Sequence, residues 1–298
     1  METSLSNTKS PLPRKLVAVS LLLATTFFWG ITFTIVKEAI QSVHVFVFLA
    51  QRFWFAFFVL LPLCFFRKHA FSFKLVLEGA ILGFFLFGAY AFQTFGLQLT
   101  SASNAGFVTG MNVVFVPLMG AMLFKQSIPT NVRWAVLLAT LGLFFLCTNG
   151  HWTLNTGDLL VLLCAIWIAL HILLTGQYAP TNDVFWLTTI QLGVVALLST
   201  LIAQACGDSV LAWHPTIFWT LVICVVFATV FAFLVQTSMQ RLLTPSQTAL
   251  IFCMEPVFAA LYAYWAANER LGAFGIIGAT LILFGMILSE LPGKPTEG

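Results

Sequence analysis

Apolar residues in this chain come in continuous runs, separated by short polar or turn-rich breaks. The runs are about 20 residues long, the length a helix needs to cross the roughly 30 Å hydrocarbon core of a bilayer. The strict in-out alternation of a β-barrel strand is absent. The pattern predicts ten transmembrane helices, at about 16–36, 44–66, 75–97, 103–124, 132–149, 157–176, 184–204, 216–238, 245–266 and 272–290. The breaks include Arg67-Lys68-His69, Lys125 to Arg133 with Pro129, Asn149-Gly150-His151, Ala179 to Asp183, and Gly207-Asp208. Connections this short leave no room for a soluble domain. Lys9, Arg14 and Lys15 precede the first run, as in a signal peptide. That run continues to about Val36 without a small-residue cleavage site, so it reads as a retained span.

Composition agrees. The 298 residues are 60% hydrophobic and 8% charged, against about a quarter charged in average globular domains. A soluble fold cannot hide that much apolar surface. The chain is therefore expected to be an all-α, polytopic membrane protein of the inner membrane. The net charge of +3 is less informative than where the charges fall. With the N-terminus in the cytoplasm, the inner loops and tails carry Lys9, Arg14, Lys15, Arg67, Lys68, Lys74, Lys125, Arg133, Arg241 and Lys294, and the outer loops carry Lys37 and Arg270. That bias predicts both termini inside. Cys64, Cys147, Cys164, Cys206, Cys224 and Cys253 are scattered, without metal-ligand spacing. They read as small apolar residues, and no metal or cofactor is expected.

The two halves resemble each other. A shift of 143 residues pairs Gln93 with Gln236, Thr94 with Thr237, Ser103 with Ser246, Met111 with Met254 and Gly142 with Gly285. The same shift pairs Gln126 with Glu269, and a shift of 138 pairs Trp29 with Trp167. The expected layout is a tail at 1–15, a five-helix repeat at 16–149, a second at 157–290 and a tail at 291–298. An odd number of spans per repeat makes the second enter the membrane from the opposite side. Two inverted five-helix repeats around a central cavity are the architecture of many secondary transporters.

Trp29-Gly30 with Thr32, Phe33 and Lys37 opens the first span, and Arg52 precedes an aromatic-rich run in the second. Ser103-Asn104-Ala105-Gly106-Phe107-Val108-Thr109-Gly110 opens the fourth span, followed by Val114-Phe115-Val116-Pro117. Glu255-Pro256-Val257, Asn268-Glu269-Arg270-Leu271, and Gly275, Gly278 and Gly285 close the chain. In this order the segments resemble the drug/metabolite transporter superfamily, specifically its EamA-type ten-span members. Asn268 and Lys125-Gln126 stand where a Gly-Glu is usual. The resemblance implies transport of a small solute, often export of amino acids or related metabolites.

Glu255 is the sharpest candidate. It sits mid-run, with no Lys or Arg within ten residues on either side, where a charge costs about 2.5–3.5 kcal/mol on insertion scales. It reads as a proton carrier or the counter-ion of an amine, or else as a structural carboxyl bonded to a neighbouring helix. Pro256 weakens the helix beside it. Asn112 is its repeat-equivalent, able to flank the same ligand or to bond helices together. Gln93 and Gln236 carry the same pair of readings. His171, in the sixth span, reads as a proton relay or a neutral, bonded side chain. Arg52 reads as the holder of an anionic group, or as a structural charge that snorkels or pairs with Glu38. Trp29 and Trp167 are expected on the cavity wall. Gly79-x-x-x-Gly83 and Gly106-x-x-x-Gly110 are packing motifs.

The leading reading is a secondary transporter of a small metabolite, working by alternating access and coupled to protons or to the solute's own gradient. The second is proton-coupled efflux of lipophilic cations. A membrane-embedded enzyme would need HExxH, paired intramembrane acids or GxSxG, and none occurs. A channel would need a filter loop or a charged pore ring. Expected partners are the small-molecule substrate, protons and membrane lipid, with no nucleic acid. Monomer and homodimer both remain open.

Overall fold

The structure, a computed structural model, describes residues 12–66, 72–148, 155–211, 215–267 and 272–291. Among these residues all regular structure is helical. The helices are α1 (Leu12–Ala39), α2 (Val45–Phe65), α3 (Phe73–Leu99), α4 (Ala102–Gly110), α5 (Asn112–Phe124), α6 (Thr130–Thr148) and α7 (Thr156–Tyr178). They continue as α8 (Val184–Ala205), α9 (Phe218–Val225), α10 (Ala232–Met239), α11 (Pro245–Phe252), α12 (Met254–Ala267) and α13 (Ala273–Glu290). A π-helical turn, Val226–Phe231, joins α9 to α10. Helix starts are written locally as caps. Ser72, Ser101, Asn155, Asp183 and Thr244 accept first-turn backbone N–H groups that have no partner inside the helix. Asp158 and Gln247 return the bond and complete capping boxes.

Among the described residues, eight helical stretches are long and apolar enough to cross a membrane, from Pro13–Ala39 to Pro215–Met239, and Ala273–Ser289 is a shorter apolar helix. Two expected single helices are interrupted. The run 103–124 breaks at Met111, between α4 and α5, and the run 245–266 breaks at Cys253, between α11 and α12. The second break has a sequence cause. Pro256 lacks a donor and its ring crowds the carbonyl four residues back; placing it in the first turn of α12 avoids both problems. The Arg67-Lys68-His69, Asn149-Gly150-His151 and Asn268-Glu269-Arg270-Leu271 breaks and the tails 1–11 and 292–298 lie outside the described residues, as does the side chain of Ser103.

Long helices pack in pairs: α6 on α13, α3 on α7 and α8, α2 on α8, and α1 on α12 and α10. Glycine sets the closest approaches. A Cβ on Gly278 would lie 2.4 Å from the Leu146 nitrogen and 2.5 Å from the Gly142 carbonyl oxygen, and one on Gly285 would lie 2.8 Å from the Ala135 oxygen. One on Gly30 would lie 2.6 Å from the backbone carbonyl oxygen of Glu255, so α1 packs closely on the first turn of α12. Gly79 and Gly83 face Ile190 and Val194 of α8. The two helix breaks touch each other, with Cys253 Sγ 3.8 Å from the Gly110 oxygen.

Candidate functional site

A cavity of about 750 Å³, its mouth included, lies between α1, α2, α3, the α4–α5 break, α7, α10 and the α11–α12 break. It gathers side chains that are far apart in sequence. Seven of the eight candidates line it: Glu255, Asn112, His171, Gln93, Gln236, Trp29 and Arg52.

Glu255 occupies the first turn of α12, immediately after the break. Among the described residues none hydrogen-bonds or ion-pairs with its carboxylate; the ion pairs are His44–Asp208 at 3.1 Å and Lys74–Glu78 at 3.7 Å. Asn112, at the start of α5, donates from Nδ2 to the Thr109 oxygen at 2.8 Å. Its buried Oδ1 has no partner. Gln93 Nε2 lies 3.4 Å from Thr109 Oγ1. Gln236 donates to Gln240 at 3.0 Å, and Gln240 to the Ile172 oxygen at 2.9 Å. That chain knits α10 to α7, while Gln236 Oε1 stays buried and unpartnered. His171 Nε2 and Gln191 Oε1 are 2.8 Å apart.

Arg52 corrects one expectation. Its partner is not Glu38, and it does not snorkel; it is 3% exposed. Its Nε donates to Thr229 Oγ1 at 2.8 Å, and its Nη2 to Tyr90 Oη and the Ala228 oxygen, both at 3.1 Å. Its guanidinium carbon stands 4.8 Å from the Tyr90 ring centroid, within cation–π range. Nη1 donates to no described residue, and Arg52 lines the cavity. The π-helical turn makes this possible. An i→i−5 turn releases carbonyls from the regular ladder, and the Ala228 oxygen also accepts Trp29 Nε1 at 2.9 Å.

Trp167 is the second correction. It does not reach the cavity. Gly88 leaves room for its ring against α3, where it meets Phe84, Phe85 and Phe92. Sequence reasoning missed Tyr90, Thr109, Phe233 and Phe252, all on the cavity wall. For Tyr90 a signal existed: Leu86, Tyr90, Gln93 and Leu97 follow helical spacing on one face of α3, and Gln93 already marked it.

These features define a multi-pass integral membrane protein with a buried polar cavity opened between helices. The EamA-like transporter family matches the chain over residues 16–148 and again over 155–291. The protein belongs to that family. An uncharacterized transporter of Archaeoglobus fulgidus is 34% identical over 88% of this chain and 82% of its own length. The uncharacterized transporter YyaM of Bacillus subtilis is 23% identical over 91% of this chain and 92% of its own. A solved crystal structure shares the fold with a TM-score of 0.74 at 18% identity, covering 92% of this chain and 96% of that one.

Proposed function

We propose that the protein is a secondary transporter of the inner membrane that exports small zwitterionic metabolites, amino acids or close relatives, by alternating access. One observation carries the substrate class: Arg52 and Glu255 line one cavity without forming an ion pair with each other. A buried Arg52 and a half-buried Glu255, left apart within the membrane, are each expensive. A ligand with an ammonium and a carboxylate satisfies both. Asn112 Oδ1 and Gln236 Oε1 add unpartnered acceptors suited to the ammonium end. Trp29, Tyr90, Phe233 and Phe252 supply apolar walls. Arg52 speaks against lipophilic cations, which a cationic wall would repel. Export is carried over from the family resemblance, and cytoplasmic termini from the Lys and Arg bias.

Alternating access needs two halves related by a pseudo-two-fold axis. Three contacts support that relation. The Gly110–Cys253 contact joins residues 143 apart, so the shift maps each onto the other. The close approaches Gly142–Gly278 and Ala135–Gly285 exchange under the same shift. The family also matches two consecutive stretches of the chain. We place Glu255 as the proton carrier of the cycle. In proteoliposomes, Glu255→Gln is expected to abolish uptake driven by a pH gradient while counterflow exchange persists. Driven uptake equal to wild type would sink this assignment.

A further inference from the structure

A second cleft, of about 1120 Å³ with its mouth included, lies outside the solute cavity. Its walls are α3, through Phe84, Phe87, Gly88, Ala91, Phe92, Phe95, Gln98 and neighbours, and α7, through Leu160 and Trp167. Phe46 of α2 and Ile202 of α8 close it. Among the described residues no lining side chain is charged, and the polar groups are the Gln98 amide and the Trp167 indole N–H. Phe84 and Leu99, at its two ends along α3, are 50% and 57% exposed, so the cleft opens on the apolar flank of the protein.

We propose that this cleft binds one acyl chain of a diacyl phospholipid. The shape is that of an amphiphile. Gln98 sits at one end, and the His44 ring, paired with Asp208, meets Phe46 at a tilt and Phe95 edge-on, with ring centroids 6.1 and 6.5 Å apart. From there an aromatic shaft runs to Trp167 and Phe84. The distance from Phe84 to Leu99 is roughly 22 Å at 1.5 Å per helical residue, more than half of the roughly 30 Å hydrocarbon thickness. A chain rooted in one leaflet can fill it; a water-borne solute finds nothing to bond. Without an occupant the walls would forgo dispersion contacts along the whole shaft. The absence of charge makes the chain, not the head group, the recognised part.

The position gives the site a consequence. The cleft residues of α3 lie on the face opposite Leu86, Ala89, Tyr90, Gln93 and Leu97, which line the solute cavity. α3 is thus a partition one helix thick, with lipid on one side and solute on the other.

The probe is phospholipid carrying brominated chains, which quench nearby tryptophan. Purified protein is loaded with it and then exchanged into unbrominated detergent. Trp167 emission is taken as wild type minus Trp167→Phe. Quenching of Trp167 is expected to outlast exchange of bulk lipid, equally for phosphocholine and phosphoglycerol head groups. Ala91→Phe, which fills the cleft, is expected to lose it together with one co-purified phospholipid in native mass spectrometry. Quenching that washes out with bulk lipid in wild type overturns the proposal. So does a phospholipid count unchanged by Ala91→Phe. Unquenched Trp167 accompanied by a dimer mass overturns it too, because a second copy would then cover the cleft.

Discussion

Replacing Arg52 by Gln tests the zwitterion site at its anion-binding end. The guanidinium is already fixed by three protein acceptors, with Nη1 left toward the cavity. A substrate carboxylate meeting Nη1 would gain one charge-assisted hydrogen bond from a group whose geometry is set in advance. Such bonds contribute about 1.5–3 kcal/mol, so affinity is expected to fall roughly 10- to 150-fold. The assay is calorimetric binding across a panel of L-amino acids and the amines made from them by decarboxylation. Amines lack the group that Arg52 would hold. Their affinity is expected to change little in Arg52→Gln, while that of the parent amino acids drops by the stated factor. Arg52→Lys keeps the charge but not the planar fork, and is expected to fall between the two. The comparison within one variant cancels any general weakening caused by loss of the Thr229 and Ala228 contacts. Equal losses for amine and amino acid would refute the reasoning and make Arg52 a purely structural pin.

Two further substitutions separate backbone crowding from backbone conformation. Gly278→Ala places a Cβ against the Leu146 and Gly142 backbones and is expected to lower the melting temperature sharply, whereas Gly207→Ala meets no atom within 4 Å and loses only the freedom behind its φ of +82°; that change is expected to cost about 1 kcal/mol, seen as a small thermal shift with transport intact. Asn155→Ala removes the α7 cap and its bond to Thr100; about 1 kcal/mol of stability should be lost in thermal unfolding, without change in substrate affinity.

The membrane class, the apolar runs and six polar residues around the cavity were legible because each is a local anomaly. A carboxylate, an arginine, a histidine and three amides inside hydrocarbon-length runs are costly, and cost points to a polar interior. What was not legible depends on neighbours. Val226 to Phe231 contains no Gly or Pro, so nothing local marks the π-helical turn that offers Ala228 to Arg52. The Arg52 partners are a carbonyl and two hydroxyls, where an acid such as Glu38 is one of the partners the sequence offers. Trp167 was placed by its symmetry with Trp29, yet Gly88 gives its ring a separate pocket beside α3. Position along a span was readable; the direction a ring faces was decided by the helix opposite.

Irregular backbone is where this protein concentrates its polar capacity. Within hydrocarbon, a carbonyl or N–H released from a helix must find a partner in the protein or in a wet cavity. The chain departs from regular α-helix at Met111, at Cys253 and across Val226–Phe231, and residues beside all three departures line the cavity or bind those that do. Asn112 and Glu255 both stand in the first turn of the helix that follows a break. The π-helical turn surrounds the Arg52 cation with oxygen atoms. Arg52 and Glu255 thus line one cavity without pairing with each other, which keeps both available to a ligand.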